Sequence, residues 1–402
     1  MARPSLHPDP DSVYSIHTSD RILFKRCRRK WDFASSLRRN LSPIGSVITP
    51  LWFGTGFHFA LEDFHGHHLW TSPGEAFAAY AQACGVDERP FDSDSLVELA
   101  FGMFNHYEKW LTQRDEYDIA VFRDDVVGSV ARPATEVNFS VALPQLDMFN
   151  KPVFYEGTMD GLYTHKSTGH FYIAEYKTAK VFDVRKLVTD DQVGAYLWVT
   201  KKCLPKTWDD GVFGGVVYKQ FKKSIPAEPK ILASGELSVN KQQKTTYAEF
   251  RAVLENMFPG VAVGKLDTKY QDMLVYLSMQ ETYEGDDFIN QQVVTRSLNN
   301  IAMQELKVLM DSYEMLNNPA ITTNPTRDCA WDCPFRDICV AMDEGADWEG
   351  ALGCGFGPRN EVAEQWQQRL IVPDFGRRLV ANEDAGKTWQ EYKDERRLIL
   401  NG

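Results

Sequence analysis

The chain has 402 residues, 43% hydrophobic and 12% aromatic, enough to bury one large core or two modest ones. No stretch approaches the roughly 20 apolar residues of a membrane span, and Met1–Asp11 is polar, without the apolar centre of a signal peptide; a cytoplasmic protein with no membrane partner is expected. A formal net charge of −12 excludes a polycation that coats nucleic acid through overall charge.

Thr18–Leu37 reads as a helix, with Ser19 and Asp20 as cap and first turn. Its charge is one-sided: Arg21, Lys25, Arg26, Arg28, Arg29, Lys30, Arg38 and Arg39 stand against one acid, Asp32, between residues 21 and 39. An isolated basic run is commonly a solvated helix face. Here Phe24, Trp31 and Phe33 are interleaved with it, which suits tracking of phosphates, so Lys25, Arg26, Arg28, Arg29 and Lys30 are candidate DNA contacts. Trp52–Leu69 reads as a second, apolar helix, and Glu75–Gln113 as further helices whose aromatics recur at core spacing.

The pattern then changes to alternation. Thr135–Leu143, Val153–Tyr163 and His170–Lys177 read as strands, the last two joined through Lys166-Ser167-Thr168-Gly169 into a hairpin. A helix over Val184–Lys202 and a strand over Val212–Gln220 follow. Tyr247–Leu316 reads as mostly helical, with a break near Glu284–Asp287, and no element is predicted beyond Asp343. Helices, strands, helix, strand in this order predict an α/β fold: a mixed sheet flanked by helices, with a helical elaboration before it.

The densest chemistry lies on the predicted hairpin. Gly157-Thr158-Met159-Asp160 is on one strand and Glu175-Tyr176-Lys177 on the next. Alternation puts Glu175 and Lys177 on one face, and the hairpin brings Asp160 beside them. Two close carboxylates are costly without a cation between them, and hard oxygens suit Mg2+ or Mn2+. A lysine beside the pair can orient a water while the metal stabilises charge on a phosphoryl oxygen. An acid, a gap and E-x-K alone arises on many surface hairpins. Gln192 and Tyr196, four apart on one helix face, add to the pattern, as do His58 on the apolar helix and Glu136 opening a strand.

In order, His58, Glu136, Gly157-x-x-Asp160, Glu175-x-Lys177 and Gln192-x-x-x-Tyr196 resemble the motif string of RecB-like nucleases, within the PD-(D/E)xK superfamily. The resemblance implies a restriction-endonuclease-like fold. It implies that Asp160, Glu175 and the carbonyl of Tyr176 bind the metal, with His58 as a further ligand. Lys177 would serve the attacking water, and Gln192 and Tyr196 would position Lys177 or the DNA.

Of seven cysteines, three form Cys329-x3-Cys333-x5-Cys339, and their odd number without a secretion signal argues against a disulfide framework. Three clustered thiols leave one coordination position, for which Cys27 is the best candidate; all-thiolate ligation fits an iron–sulfur cluster or structural zinc. Residues Ser19–Trp31 around Cys27 look like the first-cysteine segment of the iron–sulfur branch of these nucleases, shared by AddB-like subunits and CRISPR-associated RecB-like exonucleases. That resemblance implies a [4Fe–4S] cluster on Cys27, Cys329, Cys333 and Cys339, stapling the two ends of the domain. The branch more commonly has C-x2-C before the x5 spacing, which bears on geometry more than on the ligands. Cys84, Cys203 and Cys354 lack such context.

The expected organisation is a nuclease domain over 15–341. Within it, 12–50 and 320–341 form the cluster region, 51–130 a helical insertion and 131–225 the catalytic core; 342–402 is a tail without an assigned role. Gly386-Lys387-Thr388 lacks the preceding glycine and strand of a phosphate loop, Gly353–Gly357 lacks dinucleotide-fingerprint spacing, and His65-Gly66-His67-His68 reads as an exposed helix end. The activity expected is a stand-alone, Mg2+- or Mn2+-dependent DNA exonuclease of replication, recombination or repair; a phage-encoded enzyme acting in the host cytoplasm is one form of that expectation. The competing readings are an iron–sulfur DNA-binding subunit with a relic centre, and a subunit active only with a helicase or recombination partner.

Overall fold

In the computed structural model the structure describes residues 13–359 and 378–400, apart from 46, 115, 123–131, 147–150, 283–284 and 318. The chain opens with β1 (Tyr14–His17), α1 (Thr18–Arg26), α2 (Arg28–Ala34) and β2 (Leu41–Pro43). The long helix expected over 18–37 is therefore two, broken at Cys27, whose extended backbone (φ −163°, ψ 114°) ends one helix and starts the next. The cap is His17, not Ser19: Asp20 accepts from the His17 amide as the third residue of the turn.

The helical block that follows comprises α3 (Thr49–Glu62), α4 (Pro73–Ala83) and α5 (Ser93–Gln113). A π-helical turn, Asp63–His67, ends α3. The histidine run there is exposed only at His68: His65 stacks on Tyr176 and meets the Tyr107 hydroxyl at 3.0 Å, while His67 pairs with Glu62. Burial and the neighbouring Lys219 ammonium press the His65 pKa down to about 3, so this imidazole is neutral.

Short strands β3 (Tyr117–Ile119), β4 (Val121–Phe122) and β5 (Arg132–Pro133) lead into β6 (Thr135–Leu143), β7 (Val153–His165) and β8 (Phe171–Ala179). Next come α6 (Asp191–Cys203), α7 (Pro205–Asp209) and β9 (Phe213–Lys222). Helices α8 (Tyr247–Met257) and α9 (Thr268–Gln280) form an excursion with its own small core around Phe250, Leu254, Tyr270 and Leu274. Strand β10 (Ile289–Val294) then returns beside β9, within a region read from the sequence as helical. Helices α10 (Leu298–Leu316), α11 (Arg336–Glu344) and α12 (Trp348–Gly355) precede β11 (Phe356–Pro358), β12 (Arg378–Ala381) and a C-terminal helix, Trp389–Leu400.

The main sheet is mixed, in the order β10-β9-β8-β7-β6-β12, with β1 and β3 also on β7. The expected α/β architecture is present. Helices α3, α4 and α5 cover one face of the sheet through Phe53, Phe57, Phe77, Phe104 and Tyr107. Helices α6 and α10 cover the other through Val193, Leu197, Val199, Ile301 and Val308. The tail is part of this layer, since β12 pairs in parallel with β6. No helix among the described residues is long and apolar enough to cross a membrane.

One buried cation ties these pieces together. Arg21, with no exposed side-chain surface, bonds Asp311 of α10 at 2.7 Å and Asp191 of α6 at 3.1 Å. It thereby fixes the first turn of α6 against α1 and α10. Arg21→Met is expected to lower unfolding free energy by roughly 2–3 kcal/mol, less than for a fully stranded pair because Lys25 remains beside both carboxylates; denaturant unfolding measures this.

Candidate active site

The two halves of the hairpin do not stay paired. β8 is hydrogen-bonded to β7 only over Gly161–Thr164, and β1 takes the same edge of β7 over Val153–Glu156. Residues 157–160 between these ladders face neither strand, and their polar groups are met otherwise. Tyr176 donates its amide to Asp160 Oδ2 at 2.6 Å, and Tyr196 donates its hydroxyl to the Thr158 carbonyl at 2.7 Å. Gln192 in turn donates to the Tyr196 oxygen at 2.8 Å. Glycine at 157 has a steric reason: a Cβ there would stand 2.7 Å from the Phe139 ring, which also packs against Tyr196.

Alternation breaks at the same place. Met159 and Leu162, three apart on β7, enter one core cluster, and so do Ala134 and Val137 beside them. The slip on the second strand sits at Glu136, whose φ of +43° is a left-handed conformation that a non-glycine residue adopts at a cost of about 1–3 kcal/mol. It turns the Glu136 carboxylate toward Asp160. Donor atoms of His58, Glu136 and Asp160 all lie within 4.8 Å of one another, with His58 Nδ1 at 3.1 Å from Asp160 Oδ1. Glu175, completely buried, forms an ion pair with Lys177.

The electrostatics are those of too much negative charge in one place. Burial, then Asp160, raises the Glu175 pKa to about 7. Burial, Asp160, Glu62 and Glu175 raise that of Glu136 well above the usual carboxylate range. Burial would raise Asp160 too, but His58, Lys177 and the Tyr176 amide hold it below its ordinary value. Burial opposes the charged forms of His58 and Lys177, yet the surrounding carboxylates lift both pKa values. Among the described residues neither Glu175 oxygen accepts a hydrogen bond of sound geometry. A nitrogen donor and several hard oxygens, crowded and mutually repelling, fit a divalent cation.

The residues read from the sequence thus gather around one gap, with two differences. The tight donor group contains Glu136, a member of the motif string without an assigned role, in place of Glu175, whose carboxylate is engaged by Lys177. Glu62, one turn beyond His58 on α3, adds a further negative charge. Neither stands out by residue type; only the strand slip and the helix register bring them in. Beside the gap an open groove of about 620 Å3 is lined by His17, Thr18, Ser19, Thr158, Gln192 and Tyr196, among others.

The basic residues of α1 and α2 are occupied by acids. Lys25 meets Asp191, Arg26 meets Asp328 and Asp332, Arg28 meets Glu314, Arg29 meets Asp343, and Lys30 lies 3.8 Å from Asp332. The pairs of Arg26, Arg29 and Lys30 join the N-terminal helices to the segment carrying Cys329, Cys333 and Cys339, those of Lys25 and Arg28 reach α6 and α10, and phosphate tracking by the same side chains requires them all to open. None of the seven cysteines is joined in a disulfide. Burial first, then the proximity of Cys329 and Cys27, raises the Cys333 pKa, and Arg29 Nη1 lies 3.2 Å from Cys339 Sγ. Cys27, Cys329 and Cys333 are thus near enough to act on one another, and Cys339 lies against α2 through Arg29. Cys84 is buried, Cys354 is exposed, and burial raises the Cys203 thiol to about 12.

A mixed sheet whose central strands part around a histidine, carboxylates and a lysine defines the class: an α/β protein with a site of the metal-dependent nuclease kind. The family model of the PD-(D/E)XK nuclease superfamily matches residues 19–340, about four fifths of the chain. The chain belongs to that superfamily. Comparison with curated proteins gave no match.

Proposed function

We propose that this chain is a DNA exonuclease of the RecB-like iron–sulfur branch, serving replication, recombination or repair. The observation that carries the reading is the convergence of His58, Glu136, Asp160, Glu175 and Lys177 on the unpaired edge of β7. His58, Glu136 and Asp160, with Glu175 and the Tyr176 carbonyl, would hold Mg2+ or Mn2+. The cation, when bound, supplies charge stabilisation at a phosphoryl oxygen.

Lys177, kept protonated by Glu175 and Asp160, can hold a water and offset developing negative charge; in that state it accepts no proton. Tyr196 and Gln192 fix the Thr158 carbonyl and so the approach to Asp160. Cys27, Cys329, Cys333 and Cys339 would carry a [4Fe–4S] cluster that staples α1 and α2 to the C-terminal segment. The placement of Cys333 near Cys27 and Cys329, and of Cys339 against Arg29, supports that ligation. A cytoplasmic site of action, a phage origin and a helicase or recombination partner accompany this reading.

The test is digestion of end-labelled linear DNA and covalently closed circular DNA by anaerobically purified protein with Mg2+ or Mn2+. Linear DNA is expected to be degraded from its ends and circles spared. Nicking of circles at a comparable rate would overturn the exonuclease reading.

A further inference from the structure

Strands β8 and β9 run parallel and end together, with Ala179 beside Lys222, and the Lys223 amide donates to the Ala179 carbonyl at 2.8 Å. This edge gathers three lysines. Registered partners in a parallel pair face the same way, so Lys222 extends the row of Glu175, Lys177 and Ala179. Lys180 and Lys223 follow on the opposite face, toward α3, where the Lys223 ammonium lies 4.7 Å from the centre of the Phe53 ring. Lys222 lies 5.9 Å from that of Phe288.

Among the described residues none of the three is paired with a carboxylate, unlike Lys177 and Lys186 on either side. What Lys223 meets instead is more positive charge: burial and Lys180 both lower its pKa. In a chain of net charge −12, cations gathered at one sheet edge without a carboxylate partner make a local positive patch that attracts an external anion. Their position says which. Lys180 is three residues past Lys177, roughly 10 Å along an extended chain, which spans about three phosphates at the duplex rise of about 3.4 Å per nucleotide. The open groove lies on the other side of the fork, along β6 and β7.

We propose that Lys180, Lys222 and Lys223 form the backbone track for DNA on the β8–β9 side, so that a strand held by this track and by the groove crosses the metal-binding gap. The inference rests on the nuclease reading and names where its substrate lies. The contact is with phosphates, so it is independent of sequence and acts through released counterions.

The experiment uses the full chain with Lys180→Gln, Lys222→Gln and Lys223→Gln combined. Binding to labelled oligonucleotides with Ca2+ in place of the catalytic metal is measured over a salt series, beside cleavage with Mn2+. The slope of log affinity against log salt is expected to become shallower by about 2–3, and low-salt affinity to fall about 10-fold for every sequence tried. In cleavage, the loss is expected mainly in KM. Lys265→Gln with Lys307→Gln, which removes charge elsewhere, is expected to leave slope and turnover alone. Should the triple variant unfold, Lys180→Glu, at an exposed position, is expected to give a graded loss. Wild-type cleavage with an unaltered salt slope and KM in the variants would overturn the track and leave the nuclease reading standing. Equal losses in the control pair would overturn it too, as a nonspecific charge effect. Wild-type protein that neither binds nor cuts would remove the nuclease reading, and the track with it.

Discussion

Asp160→Ala is expected to reduce DNA cleavage by about 10^3-fold or more, and Lys177→Ala to do the same while still binding the metal. The magnitude follows from the several kcal/mol that a positioned cation contributes to a developing phosphoryl charge, with about 4 kcal/mol corresponding to that factor. Asp160 is the residue on which His58, the Tyr176 amide and the Glu136 carboxylate converge, so its loss dismantles the donor set. Lys177 lies outside the tight donor group and is paired with Glu175. Calorimetric titration with Mn2+ separates the two: Asp160→Ala is expected to lose most affinity and Lys177→Ala to keep it. Glu136→Gln is the sharper probe, expected to weaken Mn2+ binding at least 10-fold. Unchanged affinity there would return the donor set to His58, Asp160 and Glu175 alone.

Replacement of Cys27, Cys329, Cys333 or Cys339 by Ser is expected to remove iron and destabilise the chain by several kcal/mol. Anaerobically purified wild-type protein should carry iron and acid-labile sulfide near four each per chain, as four-cysteine ligation of [4Fe–4S] requires. The size of the effect comes from what the cluster would join. The ion pairs between α1–α2 and residues 328–343 are largely exposed, and each contributes little alone. The small core of Phe33, Phe335, Ile338 and Leu352 is the main apolar contact there. A cluster closing a loop of some three hundred residues would hold what these contacts hold weakly. Cys84→Ser and Cys203→Ser are expected to leave iron content unchanged. Stoichiometric zinc in its place would keep the staple and discard the iron–sulfur branch.

Much of the site was legible because it rests on local patterns. The β7–β8 hairpin showed through alternation on both sides of a Thr168-Gly169 turn, and α6 through a helix that sets Gln192 and Tyr196 one turn apart. What escaped depends on distant partners. β1 and β12 are four-residue strands laid in parallel against β7 and β6, with no signal of their own. β10 is recognisable only beside β9, from which the α8–α9 excursion separates it. The break at Cys27 lies inside a run with good helical periodicity, and no nearby proline or glycine announces it. Glu136 belongs to the motif string, but its place in the donor group escaped for a different reason. Alternation predicts which face a strand residue takes, and here both strands slip at the metal-binding gap itself.

The basic segment shows the limit of reading charge from composition. Lys25, Arg26, Arg28, Arg29 and Lys30 are dense in sequence, but carboxylates from α6, α10 and the cysteine segment neutralise them in space. The unopposed lysines at 180, 222 and 223 are unremarkable in sequence and become a group only through the β8–β9 register.

The central claim is that the cluster at the β7–β8 fork cuts DNA with a bound metal. Single-turnover cleavage tests it most directly, with wild-type protein and Glu175→Gln each in excess over end-labelled linear DNA, started by adding Mn2+. The account predicts product from wild type and none after chelation, and at least a 10^3-fold slower reaction from Glu175→Gln at equal DNA occupancy. Product formation by Glu175→Gln at the wild-type rate, or wild-type protein that binds both DNA and Mn2+ without cutting, would contradict it.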